Sequence, residues 1–304
     1  MEDISDLRCV ECLSTHLHRS CVAGAPDTKR LRCASCGAEF PVVDGIVRMV
    51  PRDSALRAEE TAAPAAELDD SLQAEYWEDD GHGFRSPQDP IVRCFAEQRW
   101  RYLASRFDVA SVRTALDVGC GDGFSTLYAP KHVAVTACDG SLTMLRRHQG
   151  DRRLQVDAFR LPFQDRSFDL VFAWELLHHV SEPHRVLAEM GRVSRRWVIA
   201  CEPNPVNPAQ HLFARLDPAH RWVLRFSKRY MLSQAAAASL EVTHFSRGGC
   251  LFPNKTPRAI FPLLRRVPYR IPLVGITNCM IARLPQAAES STAAPHSLPT
   301  RRVA

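Results

Sequence analysis

The sequence predicts an α/β protein built on a doubly wound parallel sheet, with a small cysteine-rich module at its N-terminus. Three observations lead there. An apolar run ending at Leu116-Asp117-Val118 is followed by Gly119, Gly121 and Gly123 in a G-x-G-x-G turn, the punctuation of a buried strand entering a helix. Further strand-like runs near 133–138, 154–156, 168–174 and 197–201 alternate with helical spacing, which implies crossover connections and parallel pairing. Finally, Cys9-x2-Cys12 and Cys33-x2-Cys36 stand twenty residues apart, the spacing of a four-thiolate metal site.

Taken in order, residues 1–51 form the cysteine module. Each C-x2-C pair turns two thiolates toward one tetrahedral Zn²⁺, with Gly37 after Cys36 suiting the turn, and Cys21, His16 and His18 are spare ligand candidates. A segment this small needs a staple to fold, and four thiolates leave no position for an activated water, so the zinc is expected to be structural. Phe40, Val42, Val43, Ile46 and Val47 flank Asp44-Gly45 as a hairpin. Seven basic residues balance seven acidic ones over residues 1–52, where a nucleic-acid finger shows a basic excess; the module therefore reads as a scaffold or docking element.

The start Met-Glu-Asp-Ile-Ser-Asp is acidic where a signal peptide is basic and then apolar, and no apolar run reaches eighteen residues. The expectation is a cytoplasmic protein, without a transmembrane segment, whose eleven cysteines are free or metal-bound. Residues 52–89 read as an Ala/Glu/Pro/Thr linker that lets the module sit independently, ending in an aromatic stretch, Tyr76, Trp77 and Phe84, suited to covering a ligand. Asp89-Pro90 starts a helix running to Phe107 that lies against the sheet. At 304 residues and 45% hydrophobic composition, the chain has enough apolar mass for one full α/β core plus appendages.

The glycine turn carries the chemistry. It lets a ligand approach the backbone without a Cβ in the way and points helix N–H groups at an anion. A dinucleotide fingerprint is spaced G-x-G-x-x-G; here the spacing is one residue short, and Asp117 stands where it would repel a pyrophosphate. Asp139, about twenty residues on at the end of the next strand, can hold ribose hydroxyls. S-adenosylmethionine fits this pattern better than a dinucleotide.

With Ala-Cys-Asp-Gly-Ser (137–141), Asp157-Ala158 before Leu-Pro-Phe (161–163), Ser-Phe-Asp-Leu-Val-Phe-Ala (167–173) and Glu-Leu-Leu-His-His-Val (175–180) following in order, the chain from about Pro90 to Leu284 resembles the class I S-adenosylmethionine-dependent methyltransferases. The resemblance implies a Rossmann-like, seven-stranded sheet. It also implies that Asp117, Gly119, Cys120 and Gly121 hold the methionine part, Asp139 and Gly140 the ribose, Asp157 and Ala158 the adenine, and that Trp174 lines the pocket. Arg192 to Arg196 depart from the Lys-Pro-Gly-Gly turn common there, so that turn is built differently. Residues 7–51, including Arg32 to Val50, resemble the zinc ribbon that occurs alone as a methyltransferase activator and fused in front of bacterial methyltransferases.

Beyond Glu202-Pro203-Asn204-Pro205 the pattern breaks, and residues 203–272 read as an insertion that forms the acceptor site; residues 285–304 read as a disordered tail. Residues 215–270 carry eleven Lys or Arg against Asp217 and Glu241 alone, in a chain of net charge +5, and Leu216, Trp222, Leu224, Phe226, Phe261, Leu263 and Leu264 are threaded through them. This suggests an anionic or partly apolar small-molecule acceptor, carrier-bound or lipid-like. The His-His-Val and Glu-Pro-Asn segments resemble quinone-type and natural-product enzymes. The alternatives are RNA, since rRNA guanine methyltransferases also join a zinc ribbon to this core, and a non-catalytic cofactor- and partner-binding protein. The charge-neutral ribbon opposes the first and the intact cofactor motifs oppose the second. Methyl transfer is mainly a matter of positioning; where a base is required, His178, His179 and Glu202 are the candidates, with Glu175 behind them. Two adjacent histidines on a helix face different ways, so one of the pair is expected to be structural.

Overall fold

The computed structural model describes residues 3–22, 25–54, 56, 84–216 and 218–285. Strand β5 (Thr114–Val118) sits mid-sheet, parallel to β6 (Ala134–Asp139) on one side and β8 (Phe168–Trp174) on the other. Outward from these lie β7 (Arg153–Val156) beyond β6 and β9 (Ser194–Pro203) beyond β8, both parallel. Antiparallel β11 (Thr277–Arg283) and β10 (Glu241–Gly248) close that side. Strand order reverses at β5, so a crevice opens at the carboxyl ends of β5, β6 and β8, where ligands of such sheets bind.

The strands read as near-continuous apolar runs because both faces are covered. Leu116, Val171 and Ala173 pack on one face with Val186, Leu187 and Met190 of α4 (Pro183–Val193), whereas Ala115, Leu170, Phe172 and Trp174 pack on the other with Trp100 and Leu103 of α1 (Pro90–Ala104). Helix α1 starts as expected, with the Asp89 side chain accepting from Ile91 N and Pro90 in the first turn. It ends three residues earlier than the apolar spacing suggests, because Ser105 N–H turns back to Tyr102 O. The basic turn at Arg192 to Arg196 is indeed built without glycine: β9 begins directly after α4, and Arg192 donates to Glu189, Asp165 and the carbonyls of Leu161 and Phe163.

The N-terminal segment supplies β1 (Leu17–Val22), β2 (Ala25–Cys33), β3 (Glu39–Val43) and β4 (Ile46–Met49). The expected hairpin forms at Asp44 and Gly45, both at positive φ, the geometry that a two-residue turn between twisted strands requires. The expected independence of this module is not observed. Strand β4 pairs in parallel with β7, Val47 opposite Leu154 and Met49 opposite Val156, and the eleven strands form one sheet in the order β1-β2-β3-β4-β7-β6-β5-β8-β9-β11-β10. An uncovered β7 edge would leave a row of unpaired backbone groups, and β4 satisfies them. Leu7, fully buried, bridges to Phe163 within the same core, and Asp6 pairs with Arg152.

The insertion is not one loop. It contains α5 (Pro208–Leu216), a 3-10 helix (Pro218–Arg225), α6 (Lys228–Ala237), strand β10 and α7 (Phe261–Leu264). The remaining short helices, α2 (Phe124–Leu127) and α3 (Leu142–Arg147), follow the glycine turn and β6. No helix among the described residues is long and apolar enough to cross a membrane. Tyr76 and Trp77, and the tail from residue 286, lie outside the described residues.

Because Leu7 stitches the N-terminal segment into the main core, Leu7→Ala is expected to lower stability by about 2–5 kcal/mol, measured as a fall in the chemical denaturation midpoint of the whole chain. A shift confined to the N-terminal segment, with the sheet's transition unchanged, would contradict this packing.

Candidate cofactor and acceptor site

A cavity of about 750 Å³ opens at the carboxyl ends of the strands. At its centre is the glycine turn, whose Gly119, Gly121 and Gly123 all take positive φ. Two of these positions are also sterically closed to a side chain. A Cβ on Gly119 would lie 2.7 Å from Leu176 Cδ1, and one on Gly123 would lie 2.5 Å from the His148 ring. Asp139 ties the turn to β6: one carboxylate oxygen accepts from Gly121 N and the other from Ser141 N, both at 2.8 Å. Asp139, Gly119, Cys120, Gly121 and Gly140 all line the cavity.

Asp117 does not line it. The residue is fully buried behind the turn, where Oδ2 accepts the hydroxyls of Ser125 at 2.5 Å and Thr126 at 2.7 Å, while Oδ1 has no partner. Burial, with the neighbouring Asp139 charge adding to it, pushes its carboxyl up to about 7. Thr126 Oγ1 also meets His148 Nε2 at 3.1 Å, and Gly150 N donates to His148 Nδ1. Asp117, Thr126 and His148 thus form a buried brace under the turn. The cavity face of the turn, kept clear of any Cβ and flanked by the Asp139 carboxylate, fits a nucleoside cofactor such as S-adenosylmethionine.

At the β7 end, Asp157 accepts from Ser54 Oγ at 2.6 Å and from Phe159 N at 2.8 Å, and Asp157 and Ala158 line the cavity. Asp53 pairs with Arg160 at 3.1 Å, and Leu56 lies over Gly140. Asp53, Ser54 and Leu56 form part of the wall. They were missed because their stretch reads as linker; nothing local shows that β4, just upstream, docks on β7 and aims the chain at this site.

The opposite end is lined by Trp174, Glu175, Leu176, His178, His179 and His220, with Gln210, Phe213, Phe252 and Lys255 from the insertion. Trp174 packs among Trp100, Phe172 and Phe124. The fully buried Arg99 lies between the rings of Phe95 and Trp174 and donates to Glu175 Oε1 at 2.9 Å and Thr277 Oγ1 at 2.7 Å. Its spacing of four from both Phe95 and Leu103 on α1 was the available signal for its burial. Glu202 is fully buried behind the wall, accepting from Leu176 N and Leu177 N, with Oε2 2.6 Å from His178 Nδ1. Burial pushes the Glu202 carboxyl up to about 8, against the backbone N–H groups that favour its anion. The two adjacent histidines do not diverge as expected: both are buried, both line the cavity, and their ring centroids are 3.9 Å apart. They stand on a 3-10 turn of only Leu177–His179 that gives way to extended Val180, so no helical cylinder splays them.

At the other edge of the sheet, Cys9 Sγ lies 3.7 Å from Cys36 Sγ and Cys12 Sγ lies 3.6 Å from Cys33 Sγ, all four within 4.8 Å. Tetrahedral thiolates at a Zn–S distance of about 2.3 Å stand roughly 3.8 Å apart, so this set fits zinc. The spare candidates His16, His18 and Cys21 are not part of the group.

A glycine turn at the switch point of a doubly wound sheet, with an acid at the next strand end, defines a nucleoside-cofactor protein of the Rossmann-like class. A family model described as a methyltransferase domain matches residues 116–197. A phosphatidylethanolamine N-methyltransferase of Cereibacter sphaeroides is 32% identical over 151 residues, 44% of this chain and 74% of that protein. A demethylmenaquinone methyltransferase of Paenarthrobacter aurescens is 40% identical over 122 residues, 36% of this chain and 47% of that protein, so the chain spans about half the length of that relative. Among solved structures, a SAM-dependent methyltransferase of Thermotoga maritima superposes with a TM-score of 0.49 at 16% identity, covering 63% of this chain and 91% of that one. The chain belongs to the class I S-adenosylmethionine-dependent methyltransferases.

The brace under the turn has a pH signature. Burial first, and Arg153 second, depress His148 from 6.5 to about 4. Its neutral form therefore stabilises the fold above the unfolded value, and that contribution is lost as pH falls from 6.5 toward 4, at most about 3.5 kcal/mol at roughly 1.4 kcal/mol per unit. Denaturation of the wild type and of His148→Gln across that window is expected to show the steeper acid loss in the wild type; parallel curves would remove His148 from the brace.

Proposed function

We propose that the protein transfers a methyl group from S-adenosylmethionine to a partly apolar, lipid-like or carrier-bound small molecule, with a structural zinc in its N-terminal module. The observation that carries this reading is one continuous cavity joining the glycine turn and Asp139 to the His178, His179 and Trp174 wall. Bound there, the cofactor supplies an electrophilic methyl on a sulfonium. The chain's own residues bind and orient: the glycine turn with Asp117 behind it holds the methionine end, Asp139 and Gly140 the ribose, and Asp157 with Ala158 the adenine. Trp174 and Phe124 help exclude water, which favours in-line approach.

An acceptor hydroxyl, acidic carbon or ammonium must also lose a proton. The His178, His179 and Glu202 cluster receives it: burial drives both imidazoles well below their ordinary value, so they stand neutral and able to accept, and Glu202 orients His178. On the acceptor side Phe84, Phe213 and Phe252 supply apolar wall and Lys255 one cation. Helix α5, which contributes Ala209, Gln210 and Phe213 to that wall, exposes Leu212 and Leu216 outward, and Val206, Leu273 and Val274 are exposed beside its start. Apolar side chains set among the basic residues of the insertion suit an amphiphilic acceptor. Two relatives are named for demethylmenaquinone and phosphatidylethanolamine, which supports the same class.

Cofactor binding is tested by calorimetry with S-adenosylhomocysteine. Asp139→Ala is expected to weaken it at least tenfold, since two charge-assisted hydrogen bonds of about 1.5 kcal/mol each are lost; unchanged affinity would remove Asp139 from the ribose. With a radiolabelled methyl donor and a total cell extract, label is expected in the organic phase, and label in the RNA fraction instead would overturn the acceptor class.

For the zinc, metal analysis is expected to lose one equivalent in Cys33→Ser, with turnover surviving in whatever fraction stays folded. Full zinc retention would refute the four-cysteine assignment.

A further inference from the structure

We infer that His178, His179 and His220 form a second metal site, for a divalent transition ion of the zinc or iron type, at the acceptor end of the cavity. Each imidazole offers one nitrogen, and these three atoms lie within 4.8 Å of one another. A tetrahedral ion at about 2.0–2.1 Å from each nitrogen brings them to roughly 3.4 Å apart, a change that small ring rotations supply. Two of the ligands come from the turn after β8 and the third from the 3-10 helix of the insertion, so the ion would tie the cofactor half of the cavity to the acceptor half.

The surroundings are those of a ligand set. Glu202 occupies His178 Nδ1 at 2.6 Å and is itself held by Leu176 N and Leu177 N, which leaves Nε2 of His178 for the ion. A carboxylate behind a metal-bound histidine fixes its tautomer and strengthens it as a ligand. Simple aromatic packing is the competing explanation, since the His220 ring also meets Phe213 at 4.9 Å. The convergence of one nitrogen from each of the three rings, with an oriented carboxylate behind one of them, is what favours a metal.

Three protein ligands leave a position open, unlike the closed four-cysteine set. All three histidines line the cavity, so the open position faces the acceptor. A hydroxyl, phenol or carboxyl oxygen would bind there. For a hydroxyl, the O–H bond breaks, the electron pair stays on the oxygen against the cation, and the proton passes to water; the cation makes this favourable near neutral pH. In this form His178 is a ligand, and acidifying the acceptor passes from imidazole to ion. The inference rests on the methyltransfer reading for the acceptor, but not for the metal.

The test uses the full chain and Co²⁺ as probe. The metal-stripped wild type is expected to bind two equivalents. One shows thiolate charge transfer, from the cysteines, and the other shows visible d–d bands without it. The second spectrum should be weakened at least tenfold in His220→Ala and in His220→Phe, the latter keeping a ring against Phe213, and should persist in Cys33→Ser. Its absence from the wild type, or its survival in both His220 variants, would overturn the inference. S-adenosylhomocysteine affinity measured on the same samples separates the two readings: cofactor binding without the histidine-type spectrum leaves methyltransfer standing and removes the metal, whereas the spectrum without cofactor binding does the reverse.

Discussion

The structure depends first on the buried carboxylate of Asp117. Its two hydroxyl bonds to Ser125 and Thr126 pull the start of α2 onto the end of β5, and Thr126 carries the connection to His148, whose ring fills the space that a side chain on Gly123 would need. The turn is therefore held from below by polar groups and from the side by Asp139. A backbone at positive φ in three places costs conformational freedom, and this network offsets that cost while keeping the cavity face of the turn clear. The price is an acid in a dry place, which burial holds protonated far more readily than usual.

The same logic of shared walls explains the N-terminal module. A small hairpin module could stand apart from the main domain, yet β4 continues the main sheet and the chain just past it runs along the cavity, where Ser54 donates to Asp157 and Leu56 covers Gly140. The four-cysteine cluster, the sheet edge and the β7 end of the cavity are thereby mechanically connected. The chain leaving the module is thus part of the cavity wall, and the module is joined to it more closely than a separate docking element would be.

At the other end, Glu202 organises the histidine end of the cavity as Asp117 organises the glycine turn. It gathers two backbone N–H groups and one imidazole at the end of β9, so the chain after β8 is fixed in the short turn that brings both histidines to the cavity. Asn204, two residues on, donates to Gly275 O and anchors the start of the insertion against the strand that follows it.

What the sequence determined by itself is local and ordered along the chain: the glycine turn between β5 and α2, the acids at the ends of β6 and β7, the C-x2-C pairs, the Asp44-Gly45 hairpin and the cap at Asp89. Each is legible because a backbone conformation or a ligand geometry admits few residue types. The tertiary structure alone decided that Asp117 is a brace behind the wall, that Arg99 is buried between two rings, that Ser54 and Leu56 line the cavity, and that His178, His179 and His220 converge. These depend on which sheet edge β4 joins and on how a 3-10 turn directs neighbouring side chains. Both are set by packing and hydrogen bonding between segments far apart in the chain, where periodicity and motif spacing hold no record.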